Sequence, residues 1–237
     1  MGLPPADFES AASAISPLGR RGGKFTVFEE RGKVTFRRTP VSLTSGTRVI
    51  SPRPFHPWHD IPTGQNVPES LTAVVEIPAN GRNKYELDKE LGVFRLDRVL
   101  YSAVHYPGDY GFLPRTLGDD GDPLDVLVLM TVPVFPGCLV ECRPVGLFHL
   151  VDHCQTDEKV LAVPLGDPYS EGQNDLDDIP AHYLREVEHF FRVYKDLEGK
   201  HTETRGFEGA AAARAAVLAG IENYRRRFSG SEGPARP

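Results

Sequence analysis

Little in this chain could serve a membrane span, a disulfide framework or a nucleic-acid grip. No apolar run approaches the roughly eighteen residues that cross a bilayer; the longest, around Val126–Met130, is strand-sized. Three cysteines, Cys138, Cys142 and Cys154, are an odd number without metal-ligand spacing, and read as small core or strand residues in a reducing compartment. The net charge is −6, whereas a nucleic-acid binder draws its affinity from Lys and Arg on phosphates. The eight histidines contain no H-E-x-x-H, and the ExxH at Glu186–His189 reads as helix surface. There is no G-x-x-x-x-G-K-[ST] phosphate loop and no internal repeat. No secretory h-region opens the chain, and Ala6 stands where N-myristoylation needs Ser or Thr. Residues 9–24 are rich in Ser, Ala, Gly and Arg, as in transit peptides, but Asp7, Glu9, Glu29 and Glu30 oppose that, so a cytoplasmic location is expected, with organellar targeting as the alternative.

What is present is ordinary globular composition, 40% hydrophobic and 25% charged over 237 residues, enough for one cored domain with appendages. Residues 1–50 read as an N-terminal extension: a Gly-, Ala- and Pro-rich stretch to residue 23, poorly ordered, then a hairpin around Arg31-Gly32. Residues 51–237 form the main domain. Six prolines between 40 and 70 suggest an extended segment laid on its surface, with Trp58, the only tryptophan, as an anchor.

Strand-like segments follow at Leu71–Ile77, Lys84–Asp88, Val93–Leu100, Leu124–Thr131, Leu139–Val151 and Val160–Leu165, separated by Pro and Gly turns. That pattern predicts a closed or partly closed barrel. Two helices come late. Asp178 and Pro180 open the first, with Leu184, Val187, Phe190, Phe191 and Tyr194 at helical spacing. Ala210–Arg227 is the second, with Val217, Leu218, Ile221 and Tyr224 on one face. The fold class is α+β, mainly β: a barrel with flanking helices and an N-terminal hairpin.

The most informative stretch is LGDDGDPLDVLVLM, Leu117–Met130. Asp119, Asp120, Asp122 and Asp125 crowd seven positions before an apolar strand. Like charges so close repel and raise each other's pKa, which calls for a cation between them. Carboxylate oxygens suit Mg²⁺, Mn²⁺ or Ca²⁺ rather than zinc. An EF-hand is excluded, because the twelfth residue from Asp120 is Thr131 and not Glu. A bend at Gly121-Asp122-Pro123 would bring Asp120 and Asp125 onto one cation and leave Asp122 for another task. A second pair, Asp152 and Asp157, reads alone as a charged hairpin tip; with the first loop it supplies carboxylates for a cation cluster of the kind phosphoryl transfer uses.

Candidate partners for a polyanion are spread along the chain. Lys84 and Glu86 share a strand face, Arg98 lies in the next strand, Tyr106 and Tyr110 flank Pro107-Gly108, and Tyr194-Lys195 end the first late helix. Arg and Lys bind phosphate oxygens, and tyrosine hydroxyls donate to them. Singly, Lys84 and Arg98 read as solvated surface and Tyr194 as core.

These residues resemble the family I soluble inorganic pyrophosphatases. The signature D-x-D-P-x-D-V stands as Asp120-Gly121-Asp122-Pro123-Leu124-Asp125-Val126, and VVEIPAN, KYELDK, DRVLYS, HYPGDYGFLPRTL, GCLVECRPVG, AVP and FFRVYKDLE look like family blocks in family order. The resemblance spans about residues 56 to 200; FHPWHDIP is similar to plant and other eukaryotic members, and residues 1–50 lie outside it. It implies a five-stranded OB-like barrel whose mouth holds three or four Mg²⁺, with Mn²⁺ a possible substitute. It implies Asp120, Asp125 and Asp157 as ligands of the first two metals, Asp152 joining Asp157 for those arriving with substrate, and Glu76 acting partly through water. Asp122 is the implied general base. Lys84, Arg98, Tyr110, Lys159, Tyr194 and Lys195 are the implied phosphate ligands, supported by Tyr106 and Glu86. His153 departs from bacterial relatives, which often carry an acid there. The expected activity is hydrolysis of pyrophosphate by direct attack of a metal-activated water, in a homo-oligomer (dimer or hexamer) without nucleic-acid or membrane partners. A metal-dependent hydrolase of nucleoside triphosphates or polyphosphate is the rival enzyme. An OB-type barrel gripping single strands is the rival binding module, opposed by its acidic loops.

Overall fold

The computed structural model describes residues 54–152 and 155–228, Asp152 and Gln155 by backbone alone, together with the backbone of Phe25–Glu30 and Lys33–Arg38. The chain divides into two units, Met1–Pro52 and Arg53–Pro237. In the first, β1 (Phe25–Glu30) pairs antiparallel with β2 (Lys33–Arg38), from Phe25 opposite Arg38 to Glu30 opposite Lys33. Residues 1–23, expected to be poorly ordered, lie outside the described residues.

The second unit holds eight strands: β3 (Leu71–Ile77), β4 (Asn83–Asp88), β5 (Val93–Val99), β6 (Asp109–Phe112), β7 (Asp125–Val128), β8 (Leu139–Asp152), β9 (Gln155–Pro164) and β10 (Thr202–Gly209). Five of them close a ring, β8–β3–β6–β7–β9 and back to β8, with β10 added on β8. The hairpin β4–β5 is a separate two-stranded sheet. Closing the ring leaves no exposed ladder edge among its five strands. β7 and β9 are its one parallel pair, and beyond the Asp125–Lys159 pair they are apolar on both faces. Val126, Val128, Val160 and Ala162 pack with Ala213 and Val217 of helix α3 (Ala210–Phe228). Leu127, Leu129, Leu161 and Val163 pack with Val187, Phe190 and Phe191 of helix α2 (Ala181–Val193). Each such aliphatic side chain, fully buried, contributes about 1.5–3 kcal/mol. Two buried faces explain why these segments read as continuous hydrophobic runs.

Gly111 sets the β3–β6 spacing. A Cβ there would stand 1.9 Å from the Val74 carbonyl oxygen, so only glycine lets the strands meet.

The fold departs from the sequence reading at five places. Residues 56–61 are not laid on the surface: Pro57–Asp60 form a short helix, α1, and His56, Trp58 and Ile61 are buried with Val74, Leu87 and Phe112. Trp58 drives this, its Nε1 donating to the Thr116 carbonyl at 2.9 Å and its ring meeting Phe228 edge-on at 5.5 Å. Asp178 does not open α2; its carboxylate closes the preceding 3-10 turn by accepting from Asn174 N and Asp175 N, and α2 starts at Ala181 behind Pro180. Neither β6 nor β10 was foreseen. On α3 the buried face is Ala213, Val217 and Gly220, while Leu218 is exposed, because Gly220 lets the helix approach Thr116 and Leu117.

Candidate functional site

Four strands of the ring aim polar side chains at one place: Glu76 on β3, Tyr110 on β6, Asp125 on β7, and Asp157 and Lys159 on β9. The register does the placing. Asp125 stands opposite Lys159 across the parallel pair, and Tyr110 lies opposite Leu127 on one side and Ile77 on the other. Glu76 occupies the β-bulge between Val75 and Ile77, which turns a polar side chain out of an otherwise apolar strand.

Lys159 is the hub. Its side chain is 3% exposed, and Nζ lies 2.7 Å from Asp125 Oδ2, 2.9 Å from both Asp157 oxygens and 3.1 Å from Tyr110 Oη. Nζ also sits 5.4 Å above the rings of Tyr110 and Phe191. Burial opposes its charge, but Asp125 and Asp157 outweigh burial and hold the ammonium above its ordinary pKa. Tyr110 donates its hydroxyl to Asp125; burial and then Asp125 push the phenol well above its ordinary value.

The acids report their crowding. Burial and then Asp125 push Glu76 up to about 8, with the Leu87 N–H at 2.8 Å as partial compensation. Burial raises Asp157 as well; Lys159 opposes it, while Asp125 and Asp120 push further upward. Asp157 therefore feels the charges of both Asp125 and Asp120.

The acidic loop bends where glycine permits. Gly121 has φ +87°, the Gly118 N–H donates to the Asp122 carbonyl at 2.7 Å, and the Asp122 N–H donates to Asp120 Oδ1 at 3.0 Å. This bend separates the two aspartates. Asp120, with Asp119, Asp125 and Asp157, lines a cavity of about 220 Å³ roofed by Ala216, Gly220 and Asn223 of α3. Asp122 lines a neighbouring cavity of about 210 Å³ with Glu76, Lys84, Glu86, Tyr110 and Asp125. Asp125 borders both.

The β4–β5 hairpin supplies the cations. Lys84 pairs with Glu86 on its own strand and stands 3.6 Å from Asp97; Arg98 lies opposite Lys84 and pairs with Asp97. Arg98 Nε donates to Glu198 at 2.8 Å. Arg98, Lys159, Lys195, Tyr106 and Tyr194 line neither acid cavity. Tyr106 is buried behind Tyr110, ring centroids 5.4 Å apart, and Tyr194 is buried at the end of α2 against Phe190. Lys195 Nζ lies 5.2 Å above the Tyr194 ring. The charges of Tyr194, Lys159, Asp125 and Arg98 all reach Tyr106, after burial the causes acting on its phenol, so α2 and β5 flank the same interior.

Asp152 ends β8 and its side chain lies outside the described residues, as does His153 entirely. Among the described residues, no three Asp, Glu, His or Cys side chains close into a ready-made metal cage. Between Asp125 and Asp157 the positive charge is the Lys159 ammonium. The donors nevertheless suit a hard divalent cation: all are carboxylate oxygens, and burial, with Asp125 adding to it, raises both Glu76 and Asp157.

Three residues of this neighbourhood escaped the sequence reading. Lys89 forms an ion pair with Asp122, Asp97 lies between Lys84 and Arg98, and Glu198 holds Arg98. Lys89 and Glu198 close the same sequence blocks, KYELDK and FFRVYKDLE, that supplied Lys84, Tyr194 and Lys195. A charged residue at a block's end was the available signal.

Comparison with known proteins gives one answer. The family model described as Inorganic pyrophosphatase matches residues 73–225. An inorganic pyrophosphatase of Haloferax volcanii is 49% identical over 173 residues, 73% of this chain and 98% of that one. Soluble inorganic pyrophosphatase 2 of Chlamydomonas reinhardtii is 43% identical, over 73% of this chain and 90% of that one. The crystal structure of an inorganic pyrophosphatase from Thermus thermophilus superposes with a TM-score of 0.69 at 43% identity, covering 71% of this chain and 99% of that one.

Proposed function

Since this chain belongs to the inorganic pyrophosphatase family, a metal-dependent family, we propose that it hydrolyses inorganic pyrophosphate to two orthophosphates at the double cavity around Asp125. The supporting observation is the meeting of opposite charges there: Asp120, Asp125 and Asp157 line the first cavity, with Lys159 held between the last two, while Lys84 lines the second with Asp122 and has Arg98 opposite it on the hairpin. A substrate carrying both phosphate and cations satisfies both halves, and neither half alone explains the other.

Asp120, Asp125, Asp152 and Asp157 would hold Mg²⁺, three or four ions with substrate bound, with Glu76 contributing through water. Bound there, divalent cations neutralise phosphate oxygens and lower the pKa of water. The residues do the rest. Asp122, on the substrate side of the bend, takes the proton from the attacking water as general base. Lys84 and Arg98 grip phosphoryl oxygens, Arg98 as a planar fork and Lys84 as a point charge, with Glu86 orienting Lys84. Lys159 and Tyr110 stabilise charge developing near Asp125; the raised pKa of each keeps it a proton donor at neutral pH. Tyr194 and Lys195 serve the second phosphate, and Tyr106 packs beneath Tyr110.

No helix among the described residues is long and apolar enough to cross a membrane. The proposal extends to a cytoplasmic homo-oligomer, dimer or hexamer, which light scattering of the purified chain would weigh directly. The activity itself is tested by phosphate release from pyrophosphate with and without Mg²⁺, with ATP as competitor. Release that needs Mg²⁺ and is unaffected by ATP is the expected result. Preferential hydrolysis of ATP would transfer the site to the nucleoside-triphosphate reading.

A further inference from the structure

The hairpin that carries Lys84 and Arg98 shares no ladder with the ring that carries the acids. Something must fix it, because a cation on a loosely held ribbon grips phosphate poorly. Phe94 and Leu87 pack into the cluster of Trp58 and Phe112, which fixes the turn end. Arg98 lies at the other end, opposite Lys84. There Tyr85 and Leu100 pack against the main core, and the Arg98 guanidinium hydrogen-bonds Glu198, 100 positions away.

Glu198 suits a tether rather than a surface acid. Its side chain is 7% exposed, and Oε1 accepts from Arg98 Nε at 2.8 Å while Oε2 lies 3.7 Å from Lys200 Nζ. It ends a 3-10 turn, Asp196–Glu198, that begins directly after Tyr194 and Lys195. The turn is locked: the Glu198 N–H donates to the Lys195 carbonyl at 2.9 Å, and Gly199 at φ +70° closes it onto Asp196. The carboxylate is therefore built into the same corner that holds Tyr194 and Lys195. Engaging Nε fixes the plane of the guanidinium, which a bond to one terminal nitrogen would not. Burial works against the Arg98 charge, and Glu198 is the largest influence restoring it.

We propose that Glu198 is a positioning residue for pyrophosphate hydrolysis: it orients the Arg98 guanidinium and couples the β4–β5 hairpin to the α2 corner, so that the cations meant for the two phosphates are set at a fixed separation. The inference rests on the reading of Arg98 as a phosphate ligand. It assigns Glu198 no contact with substrate.

The test is steady-state hydrolysis of pyrophosphate in Mg²⁺ by Glu198→Ala, Glu198→Gln, Arg98→Lys and the double variant Arg98→Lys/Glu198→Ala. Glu198→Ala is expected to lower kcat/KM by about 10- to 100-fold, mostly through KM, the scale of a misplaced binding group. Glu198→Gln keeps an acceptor for Nε and should recover most of that loss. In the Arg98→Lys background, which has no Nε to orient, Glu198→Ala should cost less than about threefold, since residues acting as a unit are non-additive. Equal losses in both backgrounds, or wild-type kinetics for Glu198→Ala, would overturn the proposal. If the alanine variant does not fold, Glu198→Met, which fills the volume without an acceptor, takes its place under the same criteria. Arg98→Lys hydrolysing at the wild-type rate would instead remove the reading of Arg98, and the tether with it. That outcome is distinct from additive losses, which sink the tether alone.

Discussion

Lys159 Nζ donates to Asp125 Oδ2 at 2.7 Å across the parallel pair β7–β9, tying a cation of the ring to the acidic signature. A lysine this buried is tolerated because Asp125 and Asp157 both face it. Removing it leaves two carboxylates uncompensated in a largely buried site. Lys159→Met is therefore expected to lose about 3–5 kcal/mol of stability in chelator, the cost of breaking a buried pair from one side. Urea denaturation with and without Mg²⁺ checks it: the deficit should shrink when cations are supplied. A variant as stable as wild type in chelator would contradict the hub role of Lys159.

Asp122 lines the cavity that holds Lys84 and Glu86, apart from Asp120. If it is the general base, Asp122→Asn keeps the shape and removes the proton acceptor. Turnover should fall roughly 10²- to 10⁴-fold with KM changed far less. Full activity in Mg²⁺ would strip Asp122 of this role.

Glu76 gives the metal-free chain a pH signature. Its folded pKa is pushed to about 8 from an ordinary 4.5 by burial and by Asp125. Sign follows from proton binding: between those values the folded chain keeps a proton that the unfolded chain has released. The contribution is whole below 4.5, declines as pH rises, and is gone once the pH passes 8. In chelator, the melting temperature of wild type should accordingly fall across that window relative to Glu76→Gln, which cannot titrate. Parallel curves for the two proteins would show that the Glu76 carboxyl is not buried as described.

The sequence carried the acids and the barrel because both are local. Asp120, Asp122 and Asp125 lie within one bend around Gly121, and alternating or continuous apolar runs such as Val126–Leu129 announce strands by themselves. A barrel was legible from such runs, its five-stranded form only through the family resemblance, and the pyrophosphatase family from the signatures. What escaped is long-range. β9 begins at Gln155, where a polar connection was expected, because Asp157 and Lys159 look like loop residues until the register brings them opposite β7 and β8. β10 is polar and Gly-interrupted, and it becomes a strand only because β8 offers it an edge. Glu198 and Arg98 are 100 positions apart, and no spacing rule connects them.

Trp58 shows how a segment that looked peripheral bears on the site. Its indole donates to the Thr116 carbonyl, and the Arg115 N–H donates back to the Trp58 carbonyl at 2.9 Å. Thr116 in turn accepts from the Leu124 N–H at 2.9 Å through its hydroxyl, so it clasps the two ends of the acidic loop. The α1 strap, the loop base and α3 thus meet at one buried point. Trp58→Ala would open a cavity there and is expected to cost about 3–5 kcal/mol. Trp58→Phe keeps much of the volume but leaves the Thr116 carbonyl without its indole donor, for about 1–3 kcal/mol. Both costs should appear as lowered melting temperatures followed by circular dichroism, since the substitutions remove the only tryptophan fluorophore. The loop is gripped from Thr116, so the alanine variant should also need more Mg²⁺ for half-maximal phosphate release. A large drop in melting temperature with an unchanged Mg²⁺ requirement would mean that the strap stabilises the fold without shaping the acidic loop.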